Sequence, residues 1–322
     1  MKLPLLILCL IVALSHFAHG QQHKIESLMA IVKKDPAAEA LADLGIIYLR
    51  DGKIEKAHEL FETCIKNAID DDEKLAQIYA HIGTACYFSG WTFEAEDYTL
   101  KSLEKAYVIN DTALILVQSG SLAFFYGQEN QIQKSNELYE KILPLTKSIW
   151  LLEGLHMNLS HNYLKQGKFY EAIVVLKKAQ TYFNQNPQYV DPIYSYLHIH
   201  FGKAFVGLNQ PDSAIIHVQQ ALAIANKNNL ILEEYFELLG HYNRLVSKKR
   251  EAAIAYNKAL AHHHKSDLTN RLDVDYLVYV DSLAKTYQEL SRCDSAIYFL
   301  NFSKTRLSEI RDHENKKRME QN

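Results

Sequence analysis

The sequence predicts an all-α fold, a right-handed α-solenoid of about seven helix-turn-helix repeats. Three observations carry that expectation. Glycine and proline are scarce, 12 and 6 in 322 residues, too few for the tight turns of a β-sandwich or a dinucleotide-binding sheet. Pairs of small residues recur at one fixed spacing. Between them, apolar residues follow a helical period, as in the run Ala172 to Ala179. The composition agrees: 48% hydrophobic residues is too apolar for disorder, and a net charge of −3 gives no reason to expect a nucleic-acid partner.

Taken in chain order, Lys2 precedes an apolar stretch from Leu3 to Leu14, and small residues follow at Ala18 and Gly20. Residues 1–20 read as a secretory signal peptide cut after Gly20, with an uncleaved membrane anchor as the alternative. Lipoprotein processing is not expected, since Cys9 follows Leu8 inside the apolar stretch. Residues 21–36 read as an N-terminal cap helix that ends near Pro36. The repeats occupy 37–310, and 311–322 form a polar C-terminal helix tail that covers the last exposed face. No apolar run long enough to span a membrane follows residue 20.

The pairs lie twelve residues apart: Gly45/Ala57, Gly83/Ala95, Ala123/Ser135, Ser160/Ala172, Gly202/Ala214, Gly240/Ala252 and Ala284/Ala296. Successive pairs are offset by 38, 40, 37, 42, 38 and 44 residues. Small side chains at a fixed spacing let two antiparallel helices approach closely, and larger neighbours fill the gaps. Three residues after the first anchor stand Tyr48, Tyr126, Tyr163, Phe205 and Tyr287, with Cys86 and Asn243 as exceptions. Four after the second stand Phe61, Thr99, Tyr139, Leu176, Val218, Tyr256 and Leu300. Turns are expected at Asp51-Gly52-Lys53, Gln166-Gly167-Lys168 and Asn209-Gln210-Pro211-Asp212. Asp212 and Asp294 suit an N-cap or first-turn acid.

The motifs Leu44-Gly45-Tyr48-Ala57-Phe61 and Leu239-Gly240-Ala252-Tyr256-Ala259 resemble the tetratricopeptide repeat (TPR) family, over about residues 38 to 310. The repeats are longer than the usual unit of about 34 residues. Asp-Ser-Ala at 212–214 and 294–296 is similar to exported TPR proteins of the Bacteroidota. The resemblance implies that the first helix of each unit lines a concave groove. Positions one and four after the first anchor then face it: Ile46, Leu49, Thr84, Tyr87, Phe124 and Gly127, followed by His161, Leu164, Lys203, Val206, His241, Arg244, Lys285 and Gln288. Three before the anchor in the later repeats stand Met157, Ile199, Glu237 and Asp281. The expected groove has an apolar, aromatic half with Tyr87 and Phe124. Its other half is a basic file of His161, Lys203, His241, Arg244 and Lys285, beside Glu237 and Asp281. This would suit a peptide with an apolar side chain and acidic groups; core packing and ordinary solvated charge are the competing reading. The Lys/Asn pattern of chaperone-tail clamps has no match at Met157, His161, His200, Glu234 and Leu238, nor at Ala42, Ile46, His81, Val117 and Ser121.

Catalytic signatures are absent: no G-x-S-x-G, H-E-x-x-H, P-loop or G-x-G-x-x-G occurs. His262-His263-His264, His198-x-His200 and His156/His161 are poorly spaced on a helix for one metal ion. No metal and no cofactor is expected. Cys64, Cys86 and Cys293 remain after the signal, an odd number that reads as buried small residues, with a Cys64–Cys86 bridge open. The expected function is a non-enzymatic protein- or peptide-binding scaffold, exported to the periplasm or the extracellular space, with association with a membrane complex left open. The alternative is the sensory module of a truncated membrane-associated regulator that binds a small peptide.

Overall fold

The computed structural model describes residues 27–30, 38–185, 192–225, 232–263 and 274–320. The signal segment and all of the cap but the helical residues 27–30 lie outside them. The described residues form helices and no strand. These are α1 (Ala38–Arg50), α2 (Ile54–Asn67), α3 (Asp72–Phe88), α4 (Thr92–Val108), α5 (Thr112–Gln128), α6 (Ile132–Ile142), α7 (Ile149–Lys165), α8 (Phe169–Gln185), α9 (Pro192–Gly207), α10 (Pro211–Ala225), α11 (Leu232–Leu245), α12 (Lys249–His263), α13 (Val274–Glu289) and α14 (Cys293–Glu320). A 3-10 turn, Leu143–Leu145, follows α6. Each odd-numbered helix and its successor make one hairpin, and the chain divides into two compact units, one ending at Leu138 and one starting at Tyr139.

One turn joins the two helices of every hairpin. Gly52, Gly90, Asn130, Gly167, Asn209, Ser247 and Ser291, each seven residues after a first anchor, all have positive φ, between 56° and 80° with the linker residue Asn110 included. The amide one residue later reaches back to the carbonyl three after the anchor, as in Lys53 N to Tyr48 O at 2.8 Å and Arg292 N to Tyr287 O at 2.9 Å. This is a Schellman closure: a left-handed residue turns the chain and satisfies helix-end carbonyls. Between hairpins, Asp71 and Asp111 cap α3 and α5 by accepting from Lys74 N and Leu114 N, each at 3.0 Å. Asp212 and Asp294 stand in the first turns of α10 and α14.

The anchors pack at the helix crossings. Ala57, Ala95, Ala123, Ser135, Ser160, Ala172, Ala214 and Ala252 are fully buried, and Ala284 and Ala296 nearly so. The glycines have no room for a Cβ. One on Gly45 would stand 2.6 Å from the Phe61 ring, one on Gly240 2.5 Å from Tyr256, and one on Gly83 3.0 Å from Thr99. Thus the residue four after the second anchor fills the space beside the first. Gly202 differs, since its Cβ would meet Leu238 of the next first helix at 2.7 Å. In the second unit these contacts join α7–α9 around Leu176, Phe183 and Phe201, and α9–α11 around Ile199, Val218 and Leu238. In the first unit, Phe61, Ile82 and Phe125 belong to one core.

Cys64 and Cys86 are buried thiols not joined by a disulfide, and burial pushes their pKa values to about 11 and about 12. Cys293 is an exposed free thiol. The polar C-terminal residues continue α14 to Glu320 without a break at 310. No helix among the described residues is long and apolar enough to cross a membrane.

Two substitutions test this architecture in opposite directions. Gly240→Ala forces a methyl into the buried Tyr256 ring and should cost about 1–3 kcal/mol. Ser247→Gly relieves a left-handed residue with a Cβ and should gain about 0.5–1 kcal/mol. Urea unfolding of both variants, followed by circular dichroism, measures the two shifts.

Candidate functional site

The apolar half of the expected groove is core for the most part. Ile46, Leu49 and Gly127 are buried. Tyr87 and Phe124 are half-buried, with ring centroids 5.2 Å apart, and Tyr87 also stacks on the buried Phe125 at 5.0 Å. Thr84 is exposed. Met157 and Ile199, placed near the groove in the second unit, are buried as well. Aromatic residues at helical spacing here serve packing first.

In the basic half, the structure shows how the charges pair. His161, Lys203, His241 and Arg244 do not form a free cationic file; most of that charge is paired inside the second unit. Along α11, Glu234, Glu237, His241 and Arg244 share one stripe, because spacings of three and four residues keep side chains on one helix face. The Lys203 ammonium from α9 meets Glu237 Oε2 at 2.6 Å. His241 Nε2 lies 3.3 Å from the other oxygen of the same carboxylate. The far ring nitrogen, His241 Nδ1, is 2.8 Å from the Tyr256 hydroxyl of α12. Arg244 donates to Glu289 Oε1 on α13 at 2.6 Å. Lys285 remains exposed, on α13.

Glu237 is the centre of this network and only 7% exposed. Burial alone would raise its pKa. The Lys203 charge and the hydrogen bond and charge of His241 outweigh burial and hold the carboxyl at about 2. Such a buried carboxylate is tolerated because both oxygens are satisfied. His161 packs its ring 5.7 Å from that of His200, whose Nδ1 lies 2.8 Å from Ser160 Oγ. Burial, then the neighbouring His161 and Lys203, keep the His200 imidazole neutral, well below its ordinary range.

Sequence reasoning missed the partners that complete this surface. Tyr196 on α9 donates to Glu234 Oε1 at 3.1 Å. The other oxygen, Glu234 Oε2, is buried with no hydrogen-bond partner among the described residues. Burial raises the Glu234 pKa, favouring the neutral acid. Glu234 lies one helical turn before Glu237, so extending the stripe backward by three residues would have found it.

Of the histidine tract near the end of α12, the structure describes the side chain of His262. The His262 ring stacks on Phe236 at 5.5 Å, and His264 lies outside the described residues. No group of three or more potential ligands is present among the described residues.

Residues 38–68 and 154–186, one stretch in each unit, match the family model of the tetratricopeptide repeat. No curated protein matches the sequence. The fold is similar to the apo form of RapI, with TM-score 0.68 and 13% identity over 85% of this chain and 99% of that one. It is similar to the apo form of the quorum sensor NprR from B. thuringiensis, with TM-score 0.60 and 15% identity over 89% and 87%. A tetratricopeptide repeat protein from Parabacteroides merdae ATCC 43184 gives TM-score 0.55 and 15% identity over 81% and 90%. At these identities the likenesses are likenesses of fold.

The pairing predicts a specific energetic pattern. Glu237→Gln leaves Lys203 and His241 without their counter-charge and should cost about 2–3 kcal/mol. Replacing the pair together, Lys203→Met with Glu237→Leu, should recover most of that loss, because apolar residues of similar volume remove both charges. Chemical denaturation of the three proteins tests this.

Proposed function

We propose that the chain is a non-catalytic recognition scaffold that holds a protein or peptide on the first-helix face of its second unit. The observation that carries this reading is the unsatisfied, buried Glu234 Oε2 beside the Lys203–Glu237–His241 network. A buried polar atom left unpaired costs about 1–3 kcal/mol. A ligand that supplies the missing partner recovers that cost, and peptide main chain carries both donors and acceptors. The neighbouring charges are already fixed in place, so little ordering is needed on binding. Stacked repeats provide a long face for such contacts without a catalytic pocket.

The cellular placement rests on residues 1–20 alone. We read them as a signal that exports the protein to the periplasm or beyond, as in the exported Bacteroidota proteins that the Asp-Ser-Ala motifs resemble. A second reading has support from the fold likeness to a quorum sensor: a sensory module whose ligand is a small diffusible peptide.

The test places a photo-crosslinking amino acid at the exposed Lys285 in the native host. A protein or peptide should be captured, and Glu234→Ala should weaken its capture by roughly tenfold, about 1.4 kcal/mol, with helicity unchanged. Capture that is indifferent to Glu234→Ala would overturn the first-helix site. The mass of the captured species separates a scaffold's protein partner from a sensor's small peptide.

A further inference from the structure

Two grooves of the second unit occur at the same position of different repeats. One, of about 470 Å³, includes Leu159 and Tyr163 of α7 with Glu171, Val174, Val175 and Lys178 of α8. The other, of about 310 Å³, includes Leu239 and Asn243 of α11 with Glu251, Ile254, Ala255 and Lys258 of α12. Counted from the anchors, these residues correspond one for one. Each first helix gives the residues one before and three after Ser160 or Gly240. Each second helix gives those one before and two, three and six after Ala172 or Ala252. His156 and Phe236, four before the first anchor, also correspond.

The side chain three after the second anchor is small in both of these repeats. It is Val175 in one and Ala255 in the other. The repeat between them has His217, whose ring stacks on Phe201 at 4.7 Å and on Phe205 at 5.5 Å and meets His198 Nδ1 at 2.9 Å. The last repeat has Phe299, stacked on Tyr287 at 5.7 Å. The second repeat has Tyr98, stacked on Tyr79 at 6.0 Å. In these three repeats a ring takes the position that valine and alanine hold in the grooves.

The surface beside the grooves is apolar and basic. Two after the second anchor, Val174, Ile216, Ile254 and Tyr298 are 56%, 54%, 57% and 64% exposed. The first unit has Glu59, Asp97 and Glu137 at that position. From four before to six after the second anchor, the four later repeats carry eight Lys or Arg against four Asp or Glu. The three earlier ones carry five against eight. Exposed apolar side chains repeated along a surface mark an interaction site, and the charge balance selects the partner.

We propose that the second-helix face of the second unit docks an acidic protein segment, two of whose large apolar side chains enter the paired grooves. Its carboxylates meet Lys178, Lys258 and their basic neighbours. The concave shape, repeated two repeats apart, suits discrete side chains rather than a flat bilayer. This surface is separate from the first-helix site and does not depend on it.

The experiment pans a displayed library of random 16-residue peptides against the full chain. The enriched peptides should be acidic and carry two large apolar residues. Two kinds of variant then test where they bind. Val175→His and Ala255→His together introduce the side chain with which the intervening repeat closes the space. Val174→Glu and Ile254→Glu together introduce on the open surface the charge found in the first unit, a change that leaves the core intact. Each pair should weaken the enriched peptides at least tenfold, while the Lys285 crosslink of the first-helix face persists. No enrichment, basic peptides, or acidic peptides that bind all variants equally would overturn the proposal. Binding to phosphatidylglycerol vesicles that is lost in the glutamate pair, without peptide enrichment, would overturn it in favour of a membrane. Self-association of the chain alone, abolished by the same pair, would overturn it in favour of a second copy.

Discussion

The left-handed residue between the helices of each hairpin is the constraint on which the architecture depends. With its positive φ and the amide that bonds back five residues, it ends one helix and aims the next in a fixed direction. Because it falls seven residues after every first anchor, the second anchor always arrives at the same place in the crossing. That constancy lets Gly45 meet Phe61 and Gly240 meet Tyr256 in the same way. Repeat lengths vary elsewhere, between hairpins, where Asp71, Asp111 and Ser148 start new helices with side-chain caps.

A rigid hairpin of this kind fixes side-chain positions to within a repeat register, and chemistry is then written by substitution at equivalent places. On the first-helix side of the second unit, Lys203 and His241 converge on Glu237 because both sit one residue after an anchor while Glu237 sits three before one. On the second-helix side, a valine or an alanine lines the two grooves at the position where three other repeats stack histidine, tyrosine or phenylalanine. The two faces thus obey one rule and differ in what fills the position.

Much of this was legible in the sequence. The helical class, the anchors and the turns at Gly52, Gly167 and Asn209 follow from residue type and spacing. The turns at Ser247 and Ser291 did not, because serine carries no turn signal comparable to glycine; only the tertiary register demands a left-handed residue there. The first-helix register was also readable, but its electrostatics were not. The register sets Glu237 and Asp281 beside the cations, but it does not say that Glu237 takes both Lys203 and His241 or that Arg244 reaches Glu289 on the next first helix, since pairing is decided across helices. Similarly, Tyr87 and Phe124 sit at groove positions but lean into the core, because aromatic side chains are long enough to reach it. Glu234 was within reach of a simple extension of the stripe.

The central claim is that the first-helix face of the second unit is a paired, pre-set polar network and not a stretch of free positive charge. The most direct measurement is a carbon-13 NMR titration of the Glu237 carboxyl in the full chain. Inflection at about 2, with Lys203 and His241 both holding the carboxylate, is the predicted result. An inflection near the ordinary glutamate value of about 4.3 would contradict it, leaving Lys203 and His241 as independent cations on an open basic surface.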